Sequence, residues 1–293
     1  MPSSDPGDRP DRPDPRDARS LLFVPGNRGD RFTKAVASGA DAVVCDLEDG
    51  VAPAAKDTAR DTVAGWLRAG GQAVVRINAP GTPWYDRDIA ALAGLPGLLG
   101  VMLPKAESTT DLATLCGTFG TVLPLVETAL GVHRAHEIAA VPGVVRLVFG
   151  SLDYALDAGT ALTDTALLHA RSTLVLASRV GGIIAPVDGV TTDLADPAAT
   201  ASAARLARDL GFGGKLCIHP RQVDPVNHAF SPSTEEIRRA TQIVKAVTDD
   251  GVAVVDGAMV DRPVVEAARR TLIHAARRQV SLERRDRHQN GLS

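Results

Sequence analysis

Eight short apolar runs alternate with stretches of helical length, and this alternation constrains the fold more than any other feature. Continuous apolar strands are typical of a parallel sheet whose two faces are both covered by helices. Eight such units in roughly 200 residues predict a closed (β/α)8 TIM barrel. The alternative is an open doubly wound sheet, but this chain has no Gly-x-Gly-x-x-Gly signature after its first strand. The runs begin at Leu21, Ala42, Ala73, Gly100, Val122, Val145, Gly182 and Lys215.

The composition changes on both sides of this pattern. Residues 1–18 consist mostly of Pro, Asp, Arg, Ser and Gly, which is typical of a disordered tail. The barrel is expected over 19–230. A helix start at Ser231-Pro-Ser-Thr-Glu-Glu opens a helical appendage over 231–282, with a short strand at 252–255 and a long final helix. The polar residues 283–293 are expected to fray.

The overall composition excludes several classes of protein. The formal net charge of the 293 residues is −3, which gives no basis for nucleic-acid binding. Cys45, Cys116 and Cys217 are far apart and form no Cys-x-x-Cys, so the sequence predicts neither a disulfide framework nor a zinc site. A reduced, cytoplasmic location fits best. No apolar run approaches the length of a membrane span.

Two carboxylates come after consecutive apolar strands. Glu127 directly succeeds the run at 122–126, and Asp153 comes shortly after the run at 145–149. Chemistry in a (β/α)8 barrel lies at the carboxyl ends of the strands, and a pair of hard oxygen ligands is what Mg²⁺ takes. Gly150 would let a small ligand approach the backbone. The alternative is that both are rim carboxylates paired with arginines.

Arg76 lies in a β-branched strand, where a guanidinium requires a partner. Its planar fork suits a substrate carboxylate or an enolate oxygen. An ion pair with Glu48 or Asp49, which come after the second strand, is the alternative, and both roles are compatible.

Several cations surround a glycine turn after the first strand and could bind phosphates, although a solvated basic helix start explains them equally well. They are Arg19, Arg28, Arg31 and Lys34, around Pro25-Gly26-Asn27. Lys105 resembles a Schiff-base lysine in position, but a rim ion pair is the favoured interpretation. His219 is expected to be structural. Asp261, before Arg262-Pro263, taken by itself is expected to cap the last helix.

Taken together, these segments resemble the citrate lyase β-subunit (CitE-like) family within the HpcH/HpaI aldolase and malyl-CoA lyase superfamily. The resemblance covers roughly residues 19–280. The segments are Arg19-Ser-Leu-Leu-Phe-Val-Pro-Gly-Asn, Asp46-Leu-Glu-Asp-Gly-Val, Val75-Arg-Ile-Asn-Ala, Met102-Leu-Pro-Lys-Ala-Glu-Ser, Leu125-Val-Glu-Thr, Phe149-Gly-Ser-Leu-Asp-Tyr, Val187-Asp-Gly-Val and Cys217-Ile-His-Pro.

The resemblance implies a Mg²⁺-dependent (β/α)8 lyase of acyl thioesters, usually a homotrimer. It implies that Glu127 and Asp153 hold the metal, and that Arg76 binds the substrate carboxylate or enolate. It assigns coenzyme A to the segment from Arg19 to Lys34, with its Pro25-Gly26 turn. It also changes the expectation for Asp261, which becomes an acid/base catalyst supplied to a neighbouring subunit.

The expected reaction is reversible Claisen-type cleavage of a 3-hydroxyacyl-CoA, such as malyl- or citramalyl-CoA, to an acyl-CoA and a small 2-oxo acid. The catalytic candidates are Arg76, Asp261 and Glu48, and Asp49 and Gly150 join the substrate-binding set. Alternatives are a citrate lyase β subunit acting on citryl-acyl-carrier protein, an acyl-CoA thioesterase on the same scaffold, a CoA-binding subunit without activity, and an aldolase using Lys105.

Overall fold

The barrel consists of eight parallel strands that succeed one another in chain order. The computed structural model describes residues 14–246, 253–255 and 258–290, and for 253–255, 258 and 277–290 it describes the backbone alone. The strands are β1 (Ser20–Pro25), β2 (Ala42–Asp46), β3 (Ala73–Arg76), β4 (Leu98–Leu103), β5 (Val122–Val126), β6 (Arg146–Phe149), β7 (Ile184–Asp188) and β8 (Gly214–Cys217). Pairing of β1 with both β2 and β8 closes the sheet, so the predicted (β/α)8 barrel is confirmed.

Helices lie between the strands and cover the outside of the barrel. They are α1 (Phe32–Ala37), α2 (Lys56–Arg68), α3 (Tyr85–Leu92), α4 (Thr109–Phe119), α5 (Ala129–His133), α6 (Ala135–Ala139), α7 (Ser151–Asp157), α8 (Asp164–Val180), α9 (Pro197–Leu210) and α10 (Val223–Ala229). Several begin at side chains that accept a hydrogen bond from the first turn, as Ser108 does for α4 and Thr163 for α8.

The pleat of the strands divides the apolar residues into two layers. Successive strand residues point to opposite faces. One set, which includes Leu22, Val43 and Val75, packs with the helices in the larger core cluster. The alternate set, which includes Val44 and Val74, forms a second cluster made almost entirely of strand residues, and it fills the barrel.

The first described residues are held against the barrel, which corrects the predicted tail of 1–18. Ala18 is buried, and the guanidinium of Arg146 donates to the carbonyl oxygens of Pro15, Arg16, Ala18 and Ala185. Arg146 opens β6 and is fully buried, so these carbonyls satisfy donors that water cannot reach. Burial lowers the pKa of Arg146 to about 10, which leaves it charged at neutral pH. Residues 1–13 lie outside the described residues.

The chain divides into two compact units, with the boundary between Phe230 and Ser231. The second unit comprises α11 (Thr234–Ala246), β9 (Ala253–Val255), β10 (Ala258–Val260) and α12 (Arg262–Asn290). Strands β9 and β10 form an antiparallel pair, and only β9 was predicted. Ala240, Ile243 and Val265 belong to the core of this unit.

The backbone of α12 continues to Asn290, so the described helix extends past residue 283, from which the sequence predicted fraying. Glu, Arg and Gln dominate this stretch and are good helix formers, and the first glycine comes at 291. Polarity alone therefore did not indicate where the helix ends. Residues 291–293 lie outside the described residues.

Cys45, Cys116 and Cys217 are free and buried. Within the described residues, none of the helices combines the length and apolar content that crossing a bilayer requires.

Arg146 should contribute strongly to stability because it satisfies four carbonyl oxygens in a dry site. We expect Arg146→Met to lower the free energy of unfolding by about 3 kcal/mol, measured by urea denaturation, since the buried carbonyls lose their donors. Limited proteolysis should also become faster near residues 14–18. The control is Arg179→Met, at an exposed position near the end of α8. Equal stability of the two variants would contradict this role for Arg146.

Candidate active site at the carboxyl ends of the strands

Strand pleating turns three charged side chains into the mouth of the barrel. Val44, Val74 and Leu125 belong to the cluster that fills the barrel. Asp46, Arg76 and Glu127 each lie two residues further along the same strands, and therefore share the inward direction. Cross-strand pairing of Asp46 with Arg76 brings the first two side by side. The charges on these three strands therefore converge.

Arg76 is fixed by a bidentate ion pair. Its Nε and Nη2 lie 2.7 Å from Oδ1 and Oδ2 of Asp46, and its guanidinium lies 4.9 Å from the ring centroid of Phe23. Nη1 lies 3.0 Å from Oε2 of Glu48. Burial alone would lower the pKa of Arg76, but the hydrogen bond to Asp46 and the nearby carboxylates raise this pKa overall. Of the five N–H donors of Arg76, three face Asp46 and Glu48, and one on each Nη remains available to a ligand.

Asp46 was not predicted as a site residue, yet it organises the loop after β2. Besides Arg76, its carboxylate accepts hydrogen bonds from the backbone N–H groups of Glu48 (2.9 Å) and Gly50 (2.8 Å). An acid that ends a strand directly opposite a strand arginine is the sequence signal that would have identified it. Of the two partners proposed for Arg76, only Glu48 is paired with it, and Asp49 is exposed.

A buried polar network stabilises the loop after β2 through hydrogen bonds to its carbonyl oxygens. Lys56 Nζ donates to the carbonyl oxygens of Leu47 and Glu48 and to Oδ1 of Asn78, all within 2.7 Å. Asn78 in turn donates to Asp88, which forms a 2.7 Å ion pair with Arg60. Lys56 and Arg60 are one helical turn apart on the buried face of α2, a pattern that predicts paired charges.

Glu127 is buried and held by a backbone donor. Its Oε1 accepts a 2.8 Å hydrogen bond from the N–H of Lys105. A Cβ built on Gly150 would lie only 2.5 Å from Cβ and 2.7 Å from Oε2 of Glu127. The room left by Gly150 is therefore taken by Glu127, which corrects the expectation that a ligand uses it. Burial, then the charge of Glu48, raises the pKa of Glu127 to about 8.

Asp153 lies in the first turn of α7 and completes the predicted pair. Its charge acts on Glu127, and its side chain has no ion-pair or hydrogen-bond partner among the described residues. Within the same residues, no group of three or more His, Cys, Asp or Glu side chains suits a metal. Two carboxylates, one of them buried with a raised pKa, fit Mg²⁺, which commonly keeps waters or substrate oxygens at its other positions.

A cleft of about 310 Å³ lies beside the pair of Glu127 and Asp153, and Glu48 and Lys105 are among the residues that line it. Burial raises the pKa of Glu48, although Arg76 and Lys105 act in the opposite direction. Lys105 Nζ lies 3.4 Å from Glu48 Oε1, which agrees with the favoured rim ion pair. The cleft continues along Asp49, Val51, Pro53, Thr82 and Trp84.

Arg19 does not belong to this end of the barrel. It precedes Ser20, the first residue of β1, and forms a bidentate ion pair with Asp41, which precedes β2. In a parallel barrel both positions are at the amino ends of the strands, opposite the site. The assignment of Arg19 to coenzyme A is therefore wrong.

The rest of the predicted coenzyme A segment follows β1, at the carboxyl ends of the strands. The N–H of Gly26 donates to the carbonyl of Asp46 (2.7 Å), so this amide is not available to a phosphate. A Cβ at Gly26 would approach the same oxygen to 2.7 Å, which explains the glycine. Arg28 pairs with Asp30 at 2.9 Å, and Lys34 is exposed on α1.

Three other polar side chains make structural contacts within the chain. Asp188 at the end of β7 faces the helices and forms buried ion pairs with Lys215 (2.8 Å) and Arg171 (3.0 Å). His219 accepts a hydrogen bond from the N–H of Arg221, as expected for a structural histidine. Asp261 precedes α12, and its Oδ1 accepts from the N–H of Val264 (3.3 Å), the cap geometry that the sequence indicated.

The raised pKa of Glu127 predicts a pH-dependent stability in the cation-free protein. A folded-state pKa above the unfolded value means that the folded state binds the proton more tightly, so stability falls as pH rises from about 4.5 through 8. With EDTA present, we expect a loss of about 2 kcal/mol between pH 6.5 and 9 that Glu127→Gln removes. Denaturant titrations at both pH values measure it. Glu137→Gln, at an exposed position of α6, should retain the wild-type slope, and a pH-independent wild type would contradict the prediction.

Comparison with known proteins gives a consistent family. Residues 19–220 match the model of the HpcH/HpaI aldolase/citrate lyase family. A citrate lyase subunit beta-like protein of Deinococcus radiodurans is 38% identical over 281 residues, which cover 88% of this chain and 97% of the relative. A (3S)-malyl-CoA thioesterase of Cereibacter sphaeroides is 35% identical over 270 residues, covering 88% and 94%.

A solved structure agrees with the sequence relatives. Protein CitE of Mycobacterium tuberculosis, in complex with magnesium, acetoacetate and coenzyme A, superimposes with a TM-score of 0.79 at 38% identity. The match covers 89% of this chain and 99% of that protein. By its sequence, its barrel and these matches, the chain belongs to the HpcH/HpaI aldolase/citrate lyase family of lyases.

Proposed function

We propose that this protein is a Mg²⁺-dependent lyase that cleaves a carbon–carbon bond in a 3-hydroxyacyl-CoA of the malyl- or citramalyl-CoA type. The products would be an acyl-CoA and a small 2-oxo acid. The observation that carries the proposal is the pair Glu127 and Asp153 at the carboxyl ends of the strands, in the same electrostatic cluster as Arg76. The magnesium, acetoacetate and coenzyme A bound to the CitE relative support it.

Glu127 and Asp153 are the proposed holders of the metal. When bound, Mg²⁺ supplies Lewis-acid stabilisation of carboxylate and hydroxyl or keto oxygens. The chain shields the site from water, which strengthens the attraction between the charge of the cation and the substrate oxygens. Glu127 is only 2% exposed, and its carboxylate is oriented by the Lys105 amide before any ligand arrives.

Arg76 is proposed to stabilise the charge that develops on the thioester. When the bond between the α-carbon and the carbinol carbon breaks, its electron pair moves to the α-carbon and is shared with the thioester carbonyl oxygen. The remaining N–H donors of Arg76 can bind that oxygen. Because Asp46 already fixes two sides of the guanidinium, little side-chain entropy is lost at that step.

Two carboxylates are proposed for proton transfer. Glu48 is buried beside Arg76, and its raised pKa favours acceptance of the hydroxyl proton that must leave as the 2-oxo acid forms. Asp261 of a neighbouring copy is proposed to protonate the α-carbon, completing the acyl-CoA. This role rests on the family resemblance, and it implies an oligomer, which we propose to be a homotrimer.

Coenzyme A is proposed to approach along the segment containing Pro25, Gly26, Arg28 and Lys34. With Arg19 excluded, the cations that this segment offers to its phosphates are Arg28, Arg31 and Lys34. Arg28 would exchange Asp30 for a phosphate, and this costs little because that pair is exposed. Asp49 lies at the rim beside Glu48 and is proposed to contact the substrate.

Hydrolysis of the thioester is a second candidate function, favoured by the 35% identity to a (3S)-malyl-CoA thioesterase. A third, supported by the citrate lyase subunit beta-like relative, is action on a carrier-protein thioester. The three differ in their products or in the carrier that they require.

Product analysis distinguishes them. We expect malyl- or citramalyl-CoA to yield a 2-oxo acid and an acyl-CoA only when Mg²⁺ is present, detected by mass spectrometry. Free hydroxy acid would instead identify a thioesterase, and turnover restricted to a carrier-protein thioester would identify a citrate lyase subunit. No turnover of any thioester would contradict the proposal, and borohydride trapping of a substrate on Lys105 would indicate an aldolase.

The metal assignment has its own test. We expect Glu127→Gln and Asp153→Asn each to reduce Mg²⁺-dependent turnover at least about a thousandfold, because each removes a charged ligand from a pair. Circular dichroism should show an unchanged fold. Glu137→Gln on α6 serves as the control, and full activity in either site variant would reject the assignment.

The role of Asp261 can be separated from its role as a helix cap. We expect Asp261→Ala to bind acyl-CoA normally but to lose deuterium exchange at the α-carbon, measured by NMR in D₂O. Asp196→Ala removes an equivalent cap from α9, where Asp196 accepts from the N–H of Ala198, so it controls for lost stability. Unchanged exchange in Asp261→Ala would contradict the catalytic role.

A further inference from the structure

Lys105 has an unusual backbone conformation. Its φ is +49°, and among the described residues it is the only one other than glycine with a positive φ. An L-residue pays a steric cost in this left-handed region, because its Cβ approaches the following carbonyl oxygen. Such a conformation persists only where neighbouring contacts enforce it, and it is typical of functional sites.

Contacts on the C-terminal side of Lys105 fix the chain. The N–H of Ala106 donates to the carbonyl of Leu125 (3.1 Å), which continues the ladder between β4 and β5. Thr128 Oγ1 donates to Glu107 Oε1 (2.6 Å), which ties the next residue to the start of α5. Pro104 precedes Lys105 and lies just beyond the end of β4.

The left-handed conformation directs the backbone N–H of Lys105 at Glu127, one of the two proposed metal ligands. The N–H of Lys105 donates to Oε1 of Glu127 at 2.8 Å. It is the one hydrogen bond that the structure gives to this buried carboxylate within the described residues, and it leaves Oε2 without a donor. The ammonium group, by contrast, is half exposed and lies 3.4 Å from Glu48. The backbone and the side chain of Lys105 therefore act on different carboxylates.

We propose that Lys105 is a positioning residue, whose left-handed backbone holds Glu127 in the orientation that binds the divalent cation. The inference rests on the proposed metal site. In energetic terms, the steric cost of a positive φ at residue 105 is offset by a metal ligand that is oriented before the cation binds. Its consequence is that the backbone conformation, and not the lysine side chain, determines the affinity for the cation.

Four substitutions separate backbone from side chain. Lys105→Gly and Lys105→Ala both remove the ammonium, but glycine adopts the left-handed conformation without cost. Lys105→Val is β-branched and strongly disfavours it. Ala52→Val is the matched control, because Ala52 lines the same cleft with an extended backbone (φ −62°, ψ 149°) that tolerates valine.

Isothermal calorimetry of the full chain with MgCl₂ gives the primary readout. We expect Lys105→Gly and Lys105→Ala to bind Mg²⁺ within about threefold of wild type, and Lys105→Val to bind at least about tenfold more weakly. Ala52→Val should bind like wild type. Thermal unfolding in EDTA adds a readout without metal: Lys105→Gly should melt no lower than Lys105→Ala, the reverse of the usual order in loops.

The outcomes distinguish this inference from the proposed function. Wild-type protein that does not bind Mg²⁺ would overturn the metal site itself. Wild-type affinity in Lys105→Val, or a loss of at least about tenfold in both the glycine and the alanine variants, would overturn the positioning role while leaving the metal site intact. If Lys105→Val does not fold, Lys105→Thr replaces it, and a lower melting temperature for glycine than for alanine would also reject the proposal.

Discussion

Closure of the barrel is the constraint on which the site depends. In a closed parallel sheet every strand presents alternate residues to the interior, and its carboxyl end opens at one rim. The apolar interior residues Val44, Val74 and Leu125 therefore determine that Asp46, Arg76 and Glu127 also point inward. A register shift of one residue in any strand would turn its charged residue towards the helices, where Asp188 lies. The core and the site thus result from the same alternation.

The rim concentrates charge in surroundings that exclude water. Asp46, Glu48 and Glu127 are buried, and Arg76 is the guanidinium that balances them. Burial, and then repulsion from neighbouring carboxylates, raises the pKa of both Glu48 and Glu127. A divalent cation is the species that relieves such an excess of buried carboxylate, which is why the geometry supports a metal centre. The excess of buried carboxylate is therefore expected both to lower the stability of the cation-free protein and to increase its affinity for the metal.

Burial of charge has a second use in this molecule, away from the site. Arg146 and the ion pairs of Asp188 with Lys215 and Arg171 are buried at positions where chemistry is not expected. Asp188 differs from Glu127 in that each of its two oxygens has a cationic partner, Arg171 at Oδ1 and Lys215 at Oδ2. Glu127 accepts its hydrogen bond from a neutral backbone amide, and this difference separates a structural carboxylate from a candidate metal ligand.

The sequence by itself determined the barrel and its eight strands, and it placed Glu127 and Asp153 after the ends of consecutive strands, because these features depend on local periodicity and on the residue types just past each strand end. It did not indicate that Asp46 fixes Arg76, that Gly150 makes room for Glu127, or that Lys105 turns its amide towards that carboxylate. Each of these joins residues from different strand–helix units, at least 20 positions apart in the chain. Arg19 shows the converse: it neighbours Pro25-Gly26 in sequence, but one strand of six residues carries it to the opposite end of the barrel. Only closure of the sheet decides which of these groups meet, because it sets the distances between residues on different strands, and local sequence patterns do not determine those distances.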